Sequence, residues 1–191
     1  LATCSGALRQ YLAGHHELPK RSLVAAVPLS LRESGESATG NQVTMLPCPL
    51  GTDQKTPRAR LAAIQAGMNK VKGTKSSFRD LIPTDYPSLG SPWLMTGLAQ
   101  LYARSRLADR IPLPANLVIS NVPGPPVTLY LAGARMTTYF PVSIVVHGLA
   151  LNITVHSYDG KLHLGLIACR KNVPDLPKLV AALYESFDEL K

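Results

Sequence analysis

Leu149-Ala150-Leu151-Asn152-Ile153-Thr154-Val155-His156-Ser157-Tyr158-Asp159-Gly160-Lys161-Leu162-His163-Leu164-Gly165-Leu166-Ile167-Ala168-Cys169 is the stretch whose reading decides the fold. Leu149, Leu151, Ile153 and Val155 alternate with Asn152, Thr154 and His156, and a period of two sends successive side chains to opposite faces of a strand. Leu162, Leu164 and Leu166 repeat the alternation beyond Asp159-Gly160. Asp-Gly between two alternating runs is the signal for a type I′ turn, because both central positions need positive φ. The spacing therefore predicts an antiparallel hairpin with Tyr158 facing Lys161. Counting outward, His156 lies opposite His163. Cross-strand partners have Cβ atoms about 5 Å apart, near enough for two imidazoles to share a metal. No Asp, Glu or Cys is placed by sequence to complete such a site. The competing reading is a polar cross-strand pair on the face away from the core.

Working outward, Arg135 to Tyr139 and Val142 to Val146 read as further strands, with His147 as a hydrogen-bonded core histidine or, less simply, a catalyst. Asn116 to Ser120 is short, apolar and β-branched. The following Asn121-Val122-Pro123-Gly124-Pro125-Pro126 cannot extend it, because three prolines remove backbone donors. Downstream, Pro174 opens a helix carrying Leu176, Leu179, Val180, Leu183, Phe187 and Leu190 on one face. In the first half, Leu1, Cys4, Leu8 and Leu12 recur at helical spacing up to Gly14. Leu23 to Leu31 is an apolar strand that Pro28 confines to an edge or a bulge. Ser34 to Asn41 is a loop, and Gln42 to Leu46 a short strand. Thr56-Pro57 caps a helix carrying Leu61, Ile64, Met68 and Val71, and Ser91-Pro92 caps another carrying Leu94, Leu98, Leu101 and Tyr102, with an irregular stretch from Ser76 to Ser91 between them. There is no internal repeat. The order of helix, strands, helices, strands, helix predicts a single α/β (α+β) domain over 1–191, a mixed β-sheet with helices packed on one side.

Composition narrows the function classes. Hydrophobic residues are 46% and charged residues 17%, a globular balance. No apolar run approaches the ~20 residues of a membrane-spanning helix, since His147-Gly148 breaks the longest, Val142 to Leu151. There is no secretory signal, and three scattered cysteines (Cys4, Cys48, Cys169) fit a reducing, cytoplasmic setting better than a disulfide framework. The net charge of +8 implies attraction to nucleic acid, acidic lipid or a phosphorylated small molecule. It is concentrated at Lys55, Arg58, Arg60, Lys70, Lys72, Lys75 and Arg79, and again at Arg104, Arg106 and Arg110. The plain alternative is solvated helix faces. Aromatic residues are only 6% and none interleave the basic cluster, which argues against a nucleic-acid partner that needs stacking platforms. The opening helix has no capping residue before Leu1, so further chain is expected upstream.

No Gly-x-Ser-x-Gly elbow, phosphate-binding Gly-rich loop, dinucleotide fingerprint or Cys-x-x-Cys pair occurs. His15-His16, between Gly14 and Pro19, reads as surface loop. No catalytic constellation and no metal site is therefore expected within the chain.

Three ordered stretches carry a resemblance. They are Ser120-Asn121-Val122-Pro123-Gly124-Pro125; Leu129-Tyr130-Leu131-Ala132-Gly133-Ala134; and Gly148 to Ile153 followed by Ser157-Tyr158-Asp159-Gly160 and, later, Pro174-Asp175. With Val27-Pro28-Leu29-Ser30-Leu31-Arg32 and Gly40-Asn41, they span nearly the whole chain. In this order they resemble the C-terminal domain of the bacterial wax ester synthase/diacylglycerol acyltransferases. Those enzymes belong to the CoA-dependent acyltransferase superfamily, with chloramphenicol acetyltransferase among its members. The resemblance implies two α/β domains with a tunnel between them, this chain being half of that two-layer arrangement. It also implies transfer of an acyl group from acyl-CoA to a fatty alcohol or diacylglycerol. The general base in that family is the second histidine of a His-His-x-x-x-Asp-Gly motif. His15-His16 do not meet it, because positions 20 and 21 are Lys20 and Arg21. The base, and the family's Asn-Asp pair, are expected in an N-terminal domain upstream of Leu1.

What the resemblance implies for this chain is a tunnel wall and part of the CoA and acyl groove. Asn121, Gly124, Tyr130, Ser143 and Asn152 are the expected substrate contacts, against the alternative of loop and strand hydrogen bonding. The basic residues then meet CoA phosphates, or anionic lipid at the inner membrane face or on lipid inclusions. Acyl-CoA is a co-substrate, and no resident cofactor is expected. The rival expectation is a non-catalytic lipid-surface or partner-binding module of the same fold.

Overall fold

The computed structural model describes residues 1–30, 43–73, 114–146 and 148–191, with positions 96, 97, 100, 101 and 104 between them. The helix capped at Ser91-Pro92, the loop from Ser34 to Asn41, the basic residues Lys75, Arg79, Arg106 and Arg110, and His147 fall wholly or mostly outside the described residues.

The described elements are α1 (Ala2–Gly14), β1 (Val24–Ser30), β2 (Val43–Pro49), α2 (Pro57–Gly73), β3 (Leu117–Val122), β4 (Tyr130–Leu131), β5 (Ala134–Arg135), β6 (Leu151–Tyr158), β7 (Lys161–Ala168) and α3 (Leu176–Asp188). Five strands form one mixed sheet in the order β2-β1-β3-β6-β7, and β4-β5 form a separate hairpin. β1 pairs antiparallel with β2 and parallel with β3. β3 pairs parallel with β6, and β6 antiparallel with β7.

The predicted hairpin is present in its predicted register. Tyr158 faces Lys161 and His156 faces His163, with Asp159 at φ 48° and Gly160 at φ 74°. β1 is not an edge strand, contrary to the expectation from Pro28. Its pairing with β3 is confined to Ala25 and Ala26, so Pro28 sits in the half of the strand that β3 no longer flanks. The true edge, β2, runs on to Pro49, three residues past the expected Leu46, and carries Pro47 and Pro49 where edge position tolerates them.

Alternation gives the sheet two unlike faces. Ala25, Leu117, Ile119, Leu151 and Ile153, with Leu164, Leu166 and Ala168, pack against Cys4, Ala7, Leu8 and Tyr11 of α1 and Leu179, Ala182 and Leu183 of α3. This is the hydrophobic core, and it holds α1 and α3 on one side of the sheet, as expected for the described helices. α3 begins at Leu176 behind Asp175, with Pro177 in its first turn. Pro174 lies outside it because the Asn172 and Val173 amides already donate to the Cys169 carbonyl, closing a turn there. The Cys4 thiol is inside this core, and burial pushes its pKa up.

The loop after β2 is locked to α1 by polar contacts. Ser5 Oγ donates to the Leu50 carbonyl at 2.6 Å, Arg9 donates to the Thr52 carbonyl at 2.6 Å, and the Leu23 amide donates to Thr52 Oγ1 at 2.8 Å. Arg60, counted with the basic cluster on sequence grounds, is not a surface charge. It is 5% exposed and donates to the Lys55 carbonyl at 3.1 Å and to Glu189 at 3.3 Å, tying α2 to the end of α3. Arg60→Ala is expected to lower stability by roughly 2–3 kcal/mol. Arg60→Lys is expected to recover less than half of that, because one ammonium cannot reproduce a forked donor. Chemical denaturation of the three proteins decides it; recovery of full stability by lysine would contradict the bridging role.

The sheet's second face carries Pro28, Met45, Val118, Ser120, Val122, Asn152, Thr154, His156, His163 and Gly165. Residues 136–145 cross it as a strap. The expected strands Arg135 to Tyr139 and Val142 to Val146 are thus not strands. Only Ala134–Arg135 pairs, with β4, and Val146 makes a single bridge to Leu149. Their apolar, β-branched composition looks like sheet. Pro141 breaks the run of donors, and the backbone takes side-chain partners from the sheet below instead of a ladder.

Candidate functional site

Between the strap and the second face lies an open groove of about 510 Å³. Its floor is Val118, Ser120 and Val122 of β3 with Asn152, Thr154 and His156 of β6; Pro28 and Met45 form one wall, and Tyr139 to Ser143 the other. Parallel pairing of β3 with β6, which sets Ser120 beside Thr154, assembles the floor from segments more than thirty residues apart.

Polar residues of the floor are bonded to one another and to the strap. Thr154 Oγ1 donates to Asn152 Oδ1 at 2.9 Å. Asn152 Nδ2 donates to Ser143 Oγ at 2.9 Å and to the Ile144 carbonyl at 3.1 Å. The walls are apolar and aromatic. Tyr139 lies on the His156 ring with centroids 4.2 Å apart, and Phe140 meets the His163 ring edge-on at 5.1 Å. Both imidazoles are 7% exposed. The face is thus the one away from the core, as the register predicted, but the strap buries it. No third His, Cys, Asp or Glu joins the pair in a metal-sized cluster among the described residues.

Two of the five expected contacts, Ser143 and Asn152, line the groove and bond each other. Gly124 stands at its end, its amide donating to Ser157 Oγ at 3.0 Å, and is pressed so closely onto His156 that an added Cβ would lie 2.5 Å from Nε2. Asn121 alternates with Ser120 and Val122 and therefore projects from the opposite face of β3. Tyr130 is exposed on the β4–β5 hairpin, away from the groove. His15, at the end of α1, stacks on Tyr11 and approaches Asp175 at 3.7 Å; His16 is exposed, so the pair serves no common site. Lys55, Arg58 and Arg104 are exposed and lie outside the groove lining. Sequence reasoning misses Ser120, Thr154, Tyr139 and Phe140. The Ser120 and Thr154 signal is present in the alternation, but the pairing that joins them is long-range.

A groove with apolar walls over a floor that carries bonded polar residues, at the far side of a sheet from α1 and α3, is the setting for comparison with known proteins. Residues 39–191 match the family model described as the WS/DGAT C-terminal domain. The chain belongs to the WS/DGAT C-terminal domain family. It is 41% identical over 185 residues to O-acyltransferase WSD of Acinetobacter baylyi, covering 97% of this chain and 39% of that protein. It is 38% identical over 191 residues to a Mycobacterium tuberculosis protein that carries the name diacylglycerol O-acyltransferase, covering 100% of this chain and 38% of that one. Among solved structures it superposes on the wax ester synthase/diacylglycerol acyltransferase from Marinobacter aquaeolei VT8 with a TM-score of 0.70 at 31% identity, over 99% of this chain and 41% of the other. This WS/DGAT domain therefore spans about two fifths of the length of the relatives it matches. No helix among the described residues is long and apolar enough to cross a membrane.

Proposed function

We propose that this domain is the C-terminal half of an acyl-CoA-dependent O-acyltransferase that esterifies a fatty alcohol or diacylglycerol, and that its groove forms one wall of the channel holding an apolar chain. The observation that carries the reading is the groove itself. Its walls of proline, methionine, valine and aromatic rings suit an alkyl chain, while Ser120 and Ser143 offer a few polar groups beside it.

The chemistry needs more than this half supplies. An alcohol attacking a thioester must lose its proton to a positioned base, and the oxyanion that forms needs donors. Among the described residues His156 is the one imidazole lining the groove, and its Nε2 is buried beneath Gly124 without a hydrogen-bond partner there. It is not presented to a bound alcohol. The base is assigned to an N-terminal domain preceding this one in the full-length enzyme, in keeping with the expected upstream His-His-x-x-x-Asp-Gly motif. Leu131, Val142 and Ile144, which are 82%, 84% and 70% exposed in this chain, are then apolar side chains for that domain to cover. The same exposed residues support the second reading, a module that lays them on a lipid surface.

Acyl transfer from a long-chain acyl-CoA to hexadecanol or diacylglycerol separates the two. The domain joined to its upstream half is expected to turn over, and the isolated domain to run at least roughly 10³-fold slower, the scale of a missing base. Equal rates from the isolated domain would overturn the division of labour. An inactive full-length protein that sediments with anionic vesicles would favour the module.

A further inference from the structure

The strap is seated on the sheet at several points, but at the groove it is tied by one side chain. Toward β7, Tyr139 and Phe140 rest on the two histidine rings. At the groove, Asn152 alone among the described residues bonds the strap, and it bonds consecutive residues, Ser143 and Ile144. The Ile144 carbonyl can only accept, so the amide nitrogen must face the strap and the amide oxygen the sheet. Thr154 Oγ1 donates to that oxygen and holds the amide in this orientation. Asn152 and Thr154 are 5% and 7% exposed, so neither exchanges these bonds freely with water.

The strap is also a wall of the groove, so the height at which Asn152 holds it sets the space beside the floor. We propose that Asn152 is a positioning residue, fixed by Thr154, that clamps the strap through Ser143 and Ile144 and thereby selects the length or bulk of the apolar chain the groove accepts. The proposal rests on reading the groove as the chain channel.

Asn152→Asp tests it in the full-length enzyme. The replacement is isosteric, removes both donors and sets a carboxylate against the Ile144 carbonyl. Ser143→Ala removes one bond at a less buried position and guards against a folding defect. The two readouts are kcat/KM for saturated acyl-CoA from eight to eighteen carbons, and displacement of a fluorescent fatty acid by free fatty acids of the same lengths, which needs no turnover. Both variants are expected to change the ratio between long and short chains by at least roughly tenfold, the lower end of the discrimination one methylene commands in an apolar pocket, with the larger change in Asn152→Asp. Amide hydrogen exchange across residues 139–146 is expected to quicken in step.

A uniform loss across all lengths, or an unchanged ratio with unchanged exchange, would overturn the proposal. If the parent enzyme transfers no acyl group, the functional reading fails on its own. The displacement profile and the exchange of Asn152→Asp still judge the clamp.

Discussion

Tyr158→Ala is expected to lower the stability of this domain by roughly 3–5 kcal/mol, the range for emptying a fully buried aromatic site. For a domain of this size that is a fall in Tm of roughly 6–20 °C. Tyr158 is 1% exposed and stands at the end of β6 where three segments meet. Its hydroxyl accepts from the Leu129 amide at 2.9 Å and donates to the Met136 carbonyl at 2.8 Å. It therefore pins both ends of the β4–β5 hairpin, just before the strap begins. Its ring also borders Tyr139 and His163, with centroids 6.5 Å and 6.3 Å away. Tyr158→Phe keeps the ring and removes only the two hydrogen bonds, so roughly 1–3 kcal/mol is expected, with faster hydrogen exchange at Leu129. Thermal melts of the two variants against the parent decide the matter. A phenylalanine variant as unstable as the alanine one would show that the hydroxyl, not the packing, dominates. An alanine variant melting within a degree or two of the parent would mean that Tyr158 does not anchor the hairpin and the strap.

Gly124→Ala and Gly165→Ala are the second large pair. Neither glycine is needed for an unusual φ. Each is needed because a covering segment touches the sheet there. A Cβ on Gly124 would fall 2.1 Å from the Ser157 carbonyl oxygen, and one on Gly165 would fall 1.9 Å from that of Pro141. Both obstacles are backbone, which cannot rotate aside, so the Pro-Gly-Pro loop or the strap must lift. Overpacking of this kind costs about 2–3 kcal/mol, or a Tm lower by roughly 5–10 °C. Gly14→Ala provides the contrast, since nothing lies within 4 Å of that position. There, at the end of α1, alanine is expected to be neutral or stabilising by up to ~1 kcal/mol. Equal Tm values for all three variants would mean that the two covering segments are not pressed onto the sheet. The groove depends on that contact, because a lifted strap no longer forms a wall.

Much of this molecule follows from its sequence, and the reason is locality. The β6–β7 hairpin needs only its own alternation and the positive φ that Asp159-Gly160 accepts, so its register and the facing of His156 and His163 can be counted out residue by residue. The faces of α1 and α3 follow from apolar spacing in the same way, and the order of the elements along the chain points to a mixed sheet with helices on one side. The ordered motifs around Asn121-Val122-Pro123-Gly124 also carry the family, which the match over residues 39–191 bears out.

What only the tertiary structure decided is non-local. Parallel pairing of β3 with β6 places Ser120 beside Thr154, although no turn connects them and no spacing announces the register. The stretch from Met136 to Val145 has a strand's composition, yet it becomes a strap because the sheet below offers Asn152, His156, His163 and Gly165 as seats. Arg60 is written like a surface charge but is buried, because α3 brings Glu189 to it. Periodicity tells a side chain which face of its own element it occupies; what covers that face depends on segments far away in the chain, and the groove is made of such coverings.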